Sequence, residues 1–410
     1  MIARTSFIYE QTDNVLDFIA ILGALTSFVA STTGLVQNDL KRVIAYSTCS
    51  QLGYMVFACG LSNYSVGIFH LSNHAFFKAL LFLSAGSVIH GVNDEQDMRK
   101  LGGLKNLLPF TYSMMTIGSL ALIGFPFLTG FYSKDLILEA AYGKFTLIGY
   151  FSYFLGTLGA FLTAFYSTRL LYLVFLAKPI GHKQIITFAG DSNIQICLAL
   201  GSLAIPSIFL GYYTKDMMVG VGSDFFGTAI YTSIISYNIF DAEFIALFYK
   251  TLPVHFSLFG VFSAFILYNF QVKLLYSLKT SSLGKKFYNF LNRKWFFDKV
   301  YNEYLGQFFF KFSYSVSYKF VDRGIFEIIG PTGLSFSALS VSSSLHRLQT
   351  GSMYHLTLTI LVGITMLFSL RQFFLIVSIA DIYWLDYKLV ALVFSSFLFL
   401  INYSDSNNTE

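Results

Sequence analysis

The chain has 410 residues, of which 55% are hydrophobic and only 12% are charged, and its mean hydropathy is +0.61. Because a soluble globular protein carries about 25% charged residues, this composition argues against a soluble domain and favours a polytopic membrane protein. The net charge of +5 is small and is scattered among apolar runs, so it does not indicate a nucleic-acid partner.

The cysteines and glycines do not form a cofactor motif. Cys49, Cys59 and Cys197 have no metal-ligand spacing, and the sequence contains no glycine-rich dinucleotide or phosphate motif. We therefore expect no metal and no cofactor in this chain, and any redox centre should lie in a partner protein.

Long apolar runs predict an all-α membrane helix bundle, because about 20 apolar residues cross the hydrocarbon core as a helix. Residues 1–10 are too short to cross, the segment 214–252 is mixed, and the run at 388–402 is short for a span. The predicted spans are 15–35, 42–61, 64–90, 107–141, 146–177, 193–213, 253–272 and 352–370.

Basic residues fall on one side of the first five spans. The segments 36–41, 91–106 and 178–192 lie on that side, whereas the opposite short segments hold only Arg4 and Lys144. This asymmetry predicts that the charged loops face the matrix or cytoplasm. The basic residues on the charged side, with the flanking Arg42, are Lys41, Arg42, Arg99, Lys100, Lys105, Lys178 and Lys183.

The fourth run, 107–141, is too long for one straight crossing. Its middle reads GFPFLTG at 124–130, and Pro126 removes a backbone donor where glycines loosen the helix. We expect a helix broken at membrane depth, which is tolerated where it faces protein or a wet cavity. Two short helices joined by a loop at the surface are the alternative.

Residues 280–350 alternate apolar and charged positions at helical spacing. Lys299, Glu303, Lys311 and Lys319 lie opposite an apolar stripe, so the pattern predicts a long amphipathic helix that is too charged to span. A straight helix of that length would reach roughly 105 Å. We expect a kink at residues 330–333, and an extramembrane helical domain packed on itself is the alternative.

His70, His74 and Lys78 are spaced by four residues within the third span, so they share one helix face. Ionisable groups inside a span are costly and commonly mark an ion or proton path. A histidine titrates near neutral pH, and burial makes a lysine release its proton more readily. The three residues therefore predict a proton relay, although a single histidine would more often be a satisfied core residue.

Four other ionisable residues are candidates for the same path. Lys134 and Asp135 directly follow the predicted break, and Glu139 lies one turn later. Water and helix-end dipoles can reach a lysine at a break, although a lysine that snorkels to the surface is the alternative. Lys41 stands at the start of the second span, where a topology marker is the simpler interpretation.

These residues lie in stretches that resemble the antiporter-like membrane subunits of respiratory complex I. The matching stretches are DLKRVIAYSTCSQLGY at 39–54, HLSNHAFFKALLF at 70–82 and GFPFLTGFYSKD at 124–135. The resemblance implies two inverted five-helix repeats, of which residues 1–178 resemble the second. It also implies that His70, His74 and Lys78 form a central relay and that Lys134 ends the half-channel facing away from the charged loops.

Three later motifs resemble the C-terminal extension of one branch of this family: FDKVYN at 297–302, DRGIFE at 322–327 and HRLQTG at 346–351. In that branch the extension runs along the membrane arm as a lateral helix. The resulting division is a repeat at 1–178, two further spans at 179–275, a lateral helix at 276–350, an anchoring span at 351–372 and a tail at 373–410 with a further apolar run.

The resemblance implies a proton-translocating subunit of the mitochondrial inner membrane. Partner subunits would hold FMN, iron–sulfur clusters and ubiquinone, and antiporter-like siblings would contact the lateral helix. A separate chain is expected to supply the first repeat, if this chain is a split-gene product rather than part of a longer one. The alternatives are a subunit of a multisubunit cation/proton antiporter, and a structural clamp whose lysines no longer conduct.

Overall fold

The computed structural model describes residues 1–180, 189–231, 239–348 and 350–379. These residues are helical and include no β-strand, only an isolated bridge between Asp39 and Asp97, so the predicted all-α class is confirmed. They fall into a unit at Met1–Phe297 and a second unit that begins at Asp298. Lys183, the run at 388–402 and most of the predicted tail lie outside the described residues.

Helices of the first unit coincide with the predicted spans. Helices α2, α4, α7, α8 and α10 are each long and apolar enough to cross a membrane. A π-helical turn, Tyr172–Leu176, extends α7. The helices are α1 (Ser6–Tyr9), α2 (Asp13–Val36), α3 (Leu40–Gly60), α4 (Tyr64–Gly91), α5 (Pro109–Ile123), α6 (Thr129–Gly143), α7 (Leu147–Leu171), α8 (Ile194–Val219), α9 (Ile239–Glu243), α10 (Leu247–Asn269), α11 (Val272–Thr280) and α12 (Ser282–Asn292).

The fourth predicted span is a broken helix made of α5 and α6. Gly124 ends α5 with a φ of 87°, which is the left-handed conformation that glycine adopts without a steric penalty. The Lys134 ammonium, one and a half turns into α6, contacts Thr163, which lies well inside the 25-residue helix α7. The break therefore lies level with the interior of α7, which favours a helix broken at membrane depth over a loop at the surface.

Helix α8 packs against the break and is itself irregular at that level. The Thr129 hydroxyl donates to the carbonyl of Pro206 (2.9 Å) and accepts from the amide of Gly211 (3.2 Å). Pro206 stands inside α8, and Gly211 has no Cβ to collide with the backbone of Thr129. The first turn of α6 is thus fixed to a neighbouring helix by hydrogen bonds as well as by packing.

Helices α2 and α3 approach each other more closely than side chains would allow. A Cβ atom added to Gly53 would lie 2.6 Å from the amide nitrogen of Ser27, and one added to Gly23 would lie 2.4 Å from that of Phe57. Small residues permit such close contact between membrane helices. As a result, α3 is enclosed by its neighbours even though it is more polar than the spans around it.

The charged-loop end of the bundle is tied by polar contacts. The guanidinium of Arg169, near the end of α7, donates to the carbonyls of Leu35 (2.6 Å) and Gln37 (2.7 Å) at the end of α2. A cation is favourable there because the last carbonyls of a helix lack partners and carry its negative dipole end. In the neighbouring loop, Arg99 holds the pKa of the Asp97 carboxyl below its ordinary value.

The predicted amphipathic helix is interrupted, so its expected straight course from residue 280 is wrong. Ser281 separates α11 from α12, and Lys294, Trp295 and Phe296 then adopt φ values of 56°, 54° and 58°. This left-handed turn is strained for residues with a Cβ. It brings the Trp295 indole against α2, where its nitrogen donates to the Thr32 hydroxyl (3.2 Å).

The second unit is helical from residue 298 to 329 (α13), with α-helical and π-helical turns alternating. Gly330 leaves the helical region (φ −89°, ψ −129°), which confirms the predicted kink, and α14 (Pro331–Leu348) and α15 (Met353–Ile379) follow. Composition alone would admit Lys294–Arg347 as a span. Its 54 residues correspond to about 81 Å of helix, far more than one crossing of about 30 Å.

We predict that Gly53→Ala destabilises the bundle by about 1–3 kcal/mol, because the new methyl group would press on the backbone of α2. The measurement is the thermal unfolding midpoint of the purified assembly. Gly86→Ala is the matched control, since a Cβ there meets nothing within 4 Å. Equal midpoints for the two variants would show that the close approach of α2 and α3 does not matter.

Candidate functional site

The three ionisable residues of α4 are buried together on the face that the sequence predicted. His70, His74 and Lys78 are all nearly inaccessible, although no acidic side chain pairs with them in the described part of the chain. Buried charges without an ion pair depend on hydrogen bonds for their stability. The partners come from α3 and α6.

Lys78 is held by the beginning of α3. Its ammonium donates to the Ser47 hydroxyl (2.6 Å) and to the carbonyl of Ile44 (3.3 Å). Ile44 is four residues after the first residue of α3, so Lys78 lies toward the charged-loop end of the bundle. Neither partner is an acid, so no ion pair holds the proton on the Lys78 ammonium.

His70 connects two other helices. Its Nδ1 lies 2.8 Å from the Ser133 hydroxyl on α6, and its Nε2 lies 3.0 Å from the Gln51 side-chain oxygen on α3. The choice of tautomer decides which nitrogen carries the proton. Because the Gln51 oxygen can only accept, Nε2 carries a proton and donates to it, while Nδ1 can accept from the Ser133 hydroxyl; both contacts fix the orientation of the ring.

His74 lies between His70 and Lys78. Its ring centroid is 6.0 Å from that of His70, and its ring packs edge-on against Phe77. The His74 Nε2 atom and both amide atoms of Asn73 are buried and have no hydrogen-bond partner among the described residues. Such groups are normally satisfied by ordered water, so this stretch has the polarity needed to hold water.

Lys134 is the most deeply enclosed cation of the site, with 1% of its surface exposed. Its ammonium donates to the Thr163 hydroxyl (3.0 Å) and to the Ile123 carbonyl (3.4 Å), and it lies 5.5 Å from the centre of the Tyr54 ring. The Ile123 carbonyl ends α5 and therefore carries the negative end of that helix dipole. The break supplies a partner for the lysine, and the snorkelling alternative is wrong.

The two carboxylates of α6 continue away from Lys134. Asp135 is buried, and its Oδ2 has no hydrogen-bond partner in the regions that the structure describes. Glu139 lies one turn further along α6 and pairs with Lys250 of α10 at 3.6 Å. Since α6 runs away from the charged loops, this pair lies toward the opposite face of the bundle.

Lys41 is not part of this cluster. Its side chain is exposed, and only its backbone amide is engaged, as a donor to the Asp39 carboxylate that caps α3. The structure thus brings six of the seven predicted residues into one succession, five of them buried and Glu139 partly exposed, and leaves Lys41 at the surface. We call this succession the polar line: Lys78, His74, His70, Lys134, Asp135 and Glu139.

Neighbouring members of the polar line lie near one another. Lys78 and His74 are close enough to interact electrostatically, and so are His70 and Lys134. Every member can hold or release a proton, and the hydroxyl and amide partners can reorient. The sequence-based prediction did not include the partners Ser47, Gln51, Ser133 and Thr163. Ser47 and Gln51 did carry a signal, because they are polar, buried and four residues apart on α3.

Comparison with known proteins gives two family matches. Residues 1–163 match the family described as NADH:quinone oxidoreductase/Mrp antiporter, TM, and residues 217–370 match NADH dehydrogenase subunit 5 C-terminus. The first match holds the polar line. The second holds α10 and the segments that sequence analysis related to a C-terminal extension.

Relatives named NADH-ubiquinone oxidoreductase chain 5 are similar along most of the chain. The protein of Phytophthora infestans is 56% identical over 88% of this chain and 54% of its own length. The protein of Marchantia polymorpha is 50% identical over 98% of this chain and 59% of its own length. The protein of Arabidopsis thaliana is 48% identical over 89% of this chain and 55% of its own length. The chain therefore spans a little over half the length of these relatives.

The family matches and the similar relatives agree with the long apolar helices of the structure. The chain is a multi-pass protein of the mitochondrial inner membrane, like its eukaryotic relatives. Both family matches and the similarity to relatives at 48–56% identity lead to one assignment. The chain belongs to the NADH-ubiquinone oxidoreductase chain 5 family of antiporter-like membrane subunits.

Proposed function

We propose that the chain is a proton-translocating subunit in the membrane arm of an H⁺-translocating NADH:ubiquinone reductase. Protons move along the polar line while partner subunits transfer electrons from NADH to ubiquinone. The observation that carries the proposal is the succession of five buried ionisable groups that begins at Lys78 near the charged-loop end and is followed by the partly exposed Glu139 near the opposite end. Burying so many ionisable groups is costly, and a proton path is the common reason for it in membrane helices.

Each group has a role that follows from its position. Lys78 receives protons from the charged-loop side, His74 and His70 pass them across the centre, and Lys134 delivers them to the other half. Asp135 and Glu139 accept protons from Lys134 and release them. Lys41 lies outside the polar line. A role for Lys41 in the proton relay stays a prediction, and it would act there as a surface group near the inlet.

The redox chemistry belongs to other subunits. FMN, iron–sulfur clusters and ubiquinone are expected in partner chains, which leaves this chain to couple proton movement to their reaction. A separate polypeptide that carries a first repeat also stays a prediction. Co-purification of this chain with flavin and iron–sulfur proteins is the expected result for this assembly.

A cation/proton antiporter is the second candidate function, because the family matched by residues 1–163 includes Mrp antiporters by its description. The match of residues 217–370 to a subunit 5 C-terminus favours the oxidoreductase. Sodium movement without electron transfer would support the antiporter. A clamp without proton movement is the third candidate, and variants of Lys134 separate it from the other two.

We further propose that residues 298–348 form the lateral element and contact antiporter-like sibling subunits. Most apolar side chains of α13 and α14 are exposed within the unit, and Phe308, Phe309 and Phe310 are among the largest. Exposed apolar surface on this scale needs a partner. Fastening the arm is the simpler role, because a long helix can bury area on several neighbours without switching.

We predict that Lys134→Met lowers the number of protons pumped per electron pair by tenfold or more, because the polar line loses the ammonium that interacts with both His70 and Asp135. Methionine keeps much of the buried volume, so assembly should be retained. Pumping is measured in vesicles that hold the whole complex, and Thr163→Ser, which keeps the hydroxyl partner, is the control. Normal pumping by an assembled Lys134→Met variant would rule out the proposed function.

A chain truncated after Phe297 tests the lateral element, because the cut falls at the boundary between the two units. We expect neighbouring subunits to be lost from the purified membrane arm, as a fastening role requires. An intact arm that no longer pumps would indicate coupling instead. An intact arm with full pumping would refute both roles. Subunit content by mass spectrometry and pumping in vesicles give the two measurements.

A further inference from the structure

The outer end of the polar line is closed by a helix from outside the 1–163 family match. Glu139 on α6 lies 3.6 Å from the ammonium of Lys250, which is near the start of α10. Lys250 belongs to the part of the chain matched by the subunit 5 C-terminus. The last carboxylate of the line therefore takes its partner from the C-terminal extension.

The surroundings of the ion pair are built by further interactions among α6, α7, α9 and α10. The rings of Tyr142 and Tyr249 stack with centroids 4.4 Å apart, and the Tyr153 hydroxyl donates to the carbonyl of Tyr249 (2.7 Å). Gly143 lies against the backbone of Ala242. These neighbours place Lys250 in register with Glu139, so the pair is not a chance encounter of two mobile side chains.

The exposure of the two partners differs in a way that suits an outlet. Glu139 has 15% of its side chain exposed and Lys250 has 38%, so both members of the pair have access to solvent. Asp135, one turn deeper, is buried. A proton that leaves Asp135 for Glu139 thus reaches the first member of the line with access to water.

We propose that Lys250 is a positioning residue of the proton outlet, which holds Glu139 in place and keeps it ready to release its proton to the outer side. This inference rests on the proposed function. It assigns part of the outlet to α10 rather than to the five-helix repeat. Removing the ammonium should let the Glu139 carboxyl keep its proton at a higher outer pH, because an adjacent positive charge favours the ionised form.

Other charged groups around Glu139 set the background for this effect. Asp135 and Lys134 precede it on α6. Lys215 of α8, Glu243 of α9 and Tyr153 of α7 interact with it electrostatically. Lys215 and Glu243 carry opposite charges and partly offset each other. Lys250 is the cation that directly contacts the carboxylate, so its removal should dominate the change.

The test measures protons pumped per electron pair in vesicles while the pH on the outer side is varied. For Lys250→Met we expect the outer pH at which pumping is half-maximal to rise by about one unit. Lys250→Arg keeps the charge and should behave as wild type. Lys178→Gln is the matched control, because it removes an exposed cation on the charged-loop side and should leave the profile unchanged.

A charge swap, Glu139→Lys with Lys250→Glu, covers the case in which Lys250→Met fails to assemble. The swap rebuilds the ion pair, and we expect it to pump with a carboxylate now on α10. An assembled swap without pumping would overturn the proposal, and so would a Lys250→Met profile that matches Lys178→Gln. Loss of pumping in Lys134→Met with an unchanged Lys250→Met profile would reject this inference and leave the proposed function standing.

Discussion

The cost of placing ionisable groups in an apolar interior is the constraint on which the rest of the structure depends. The ammonium groups of Lys78 and Lys134 and the imidazole of His70 have hydrogen-bond partners that are not acids, and an ion pair would hold the proton of an ammonium too firmly to pass it on. Hydroxyls, an amide and backbone carbonyls are the partners used. Each comes from a different helix from its ionisable group, so the bundle has to be assembled before the line exists.

The broken helix follows from the same constraint. Continuous helices use their own carbonyls, so a lysine between them finds few acceptors. The break at Gly124 leaves the Ile123 carbonyl available to Lys134, and Thr129 and Pro206 supply further polar contacts across to α8. The close glycine contact between α2 and α3 then keeps α3, with its polar residues Ser47 and Gln51, inside the bundle.

Much of the fold could be predicted from the sequence, because apolar runs and a Gly-Pro-Gly interruption act locally. The shared face of His70, His74 and Lys78 also follows from helical spacing alone. The partners on other helices could not be predicted in this way, since Ser133 and Thr163 meet His70 and Lys134 only after packing. The turn at Lys294–Phe296 was missed for a similar reason: the contact of Trp295 with α2 stabilises a backbone that its own residues disfavour.

The central claim is that protons pass along a line whose members are fixed by their partners, and the most direct measurement is the pumping of a Gln51→Leu complex. This change removes the partner of His70 Nε2 while every ionisable residue of the line stays in place. The account predicts an assembled complex that pumps several-fold fewer protons per electron pair than wild type. Full pumping by that complex would show that the position of His70 is irrelevant and would contradict the account.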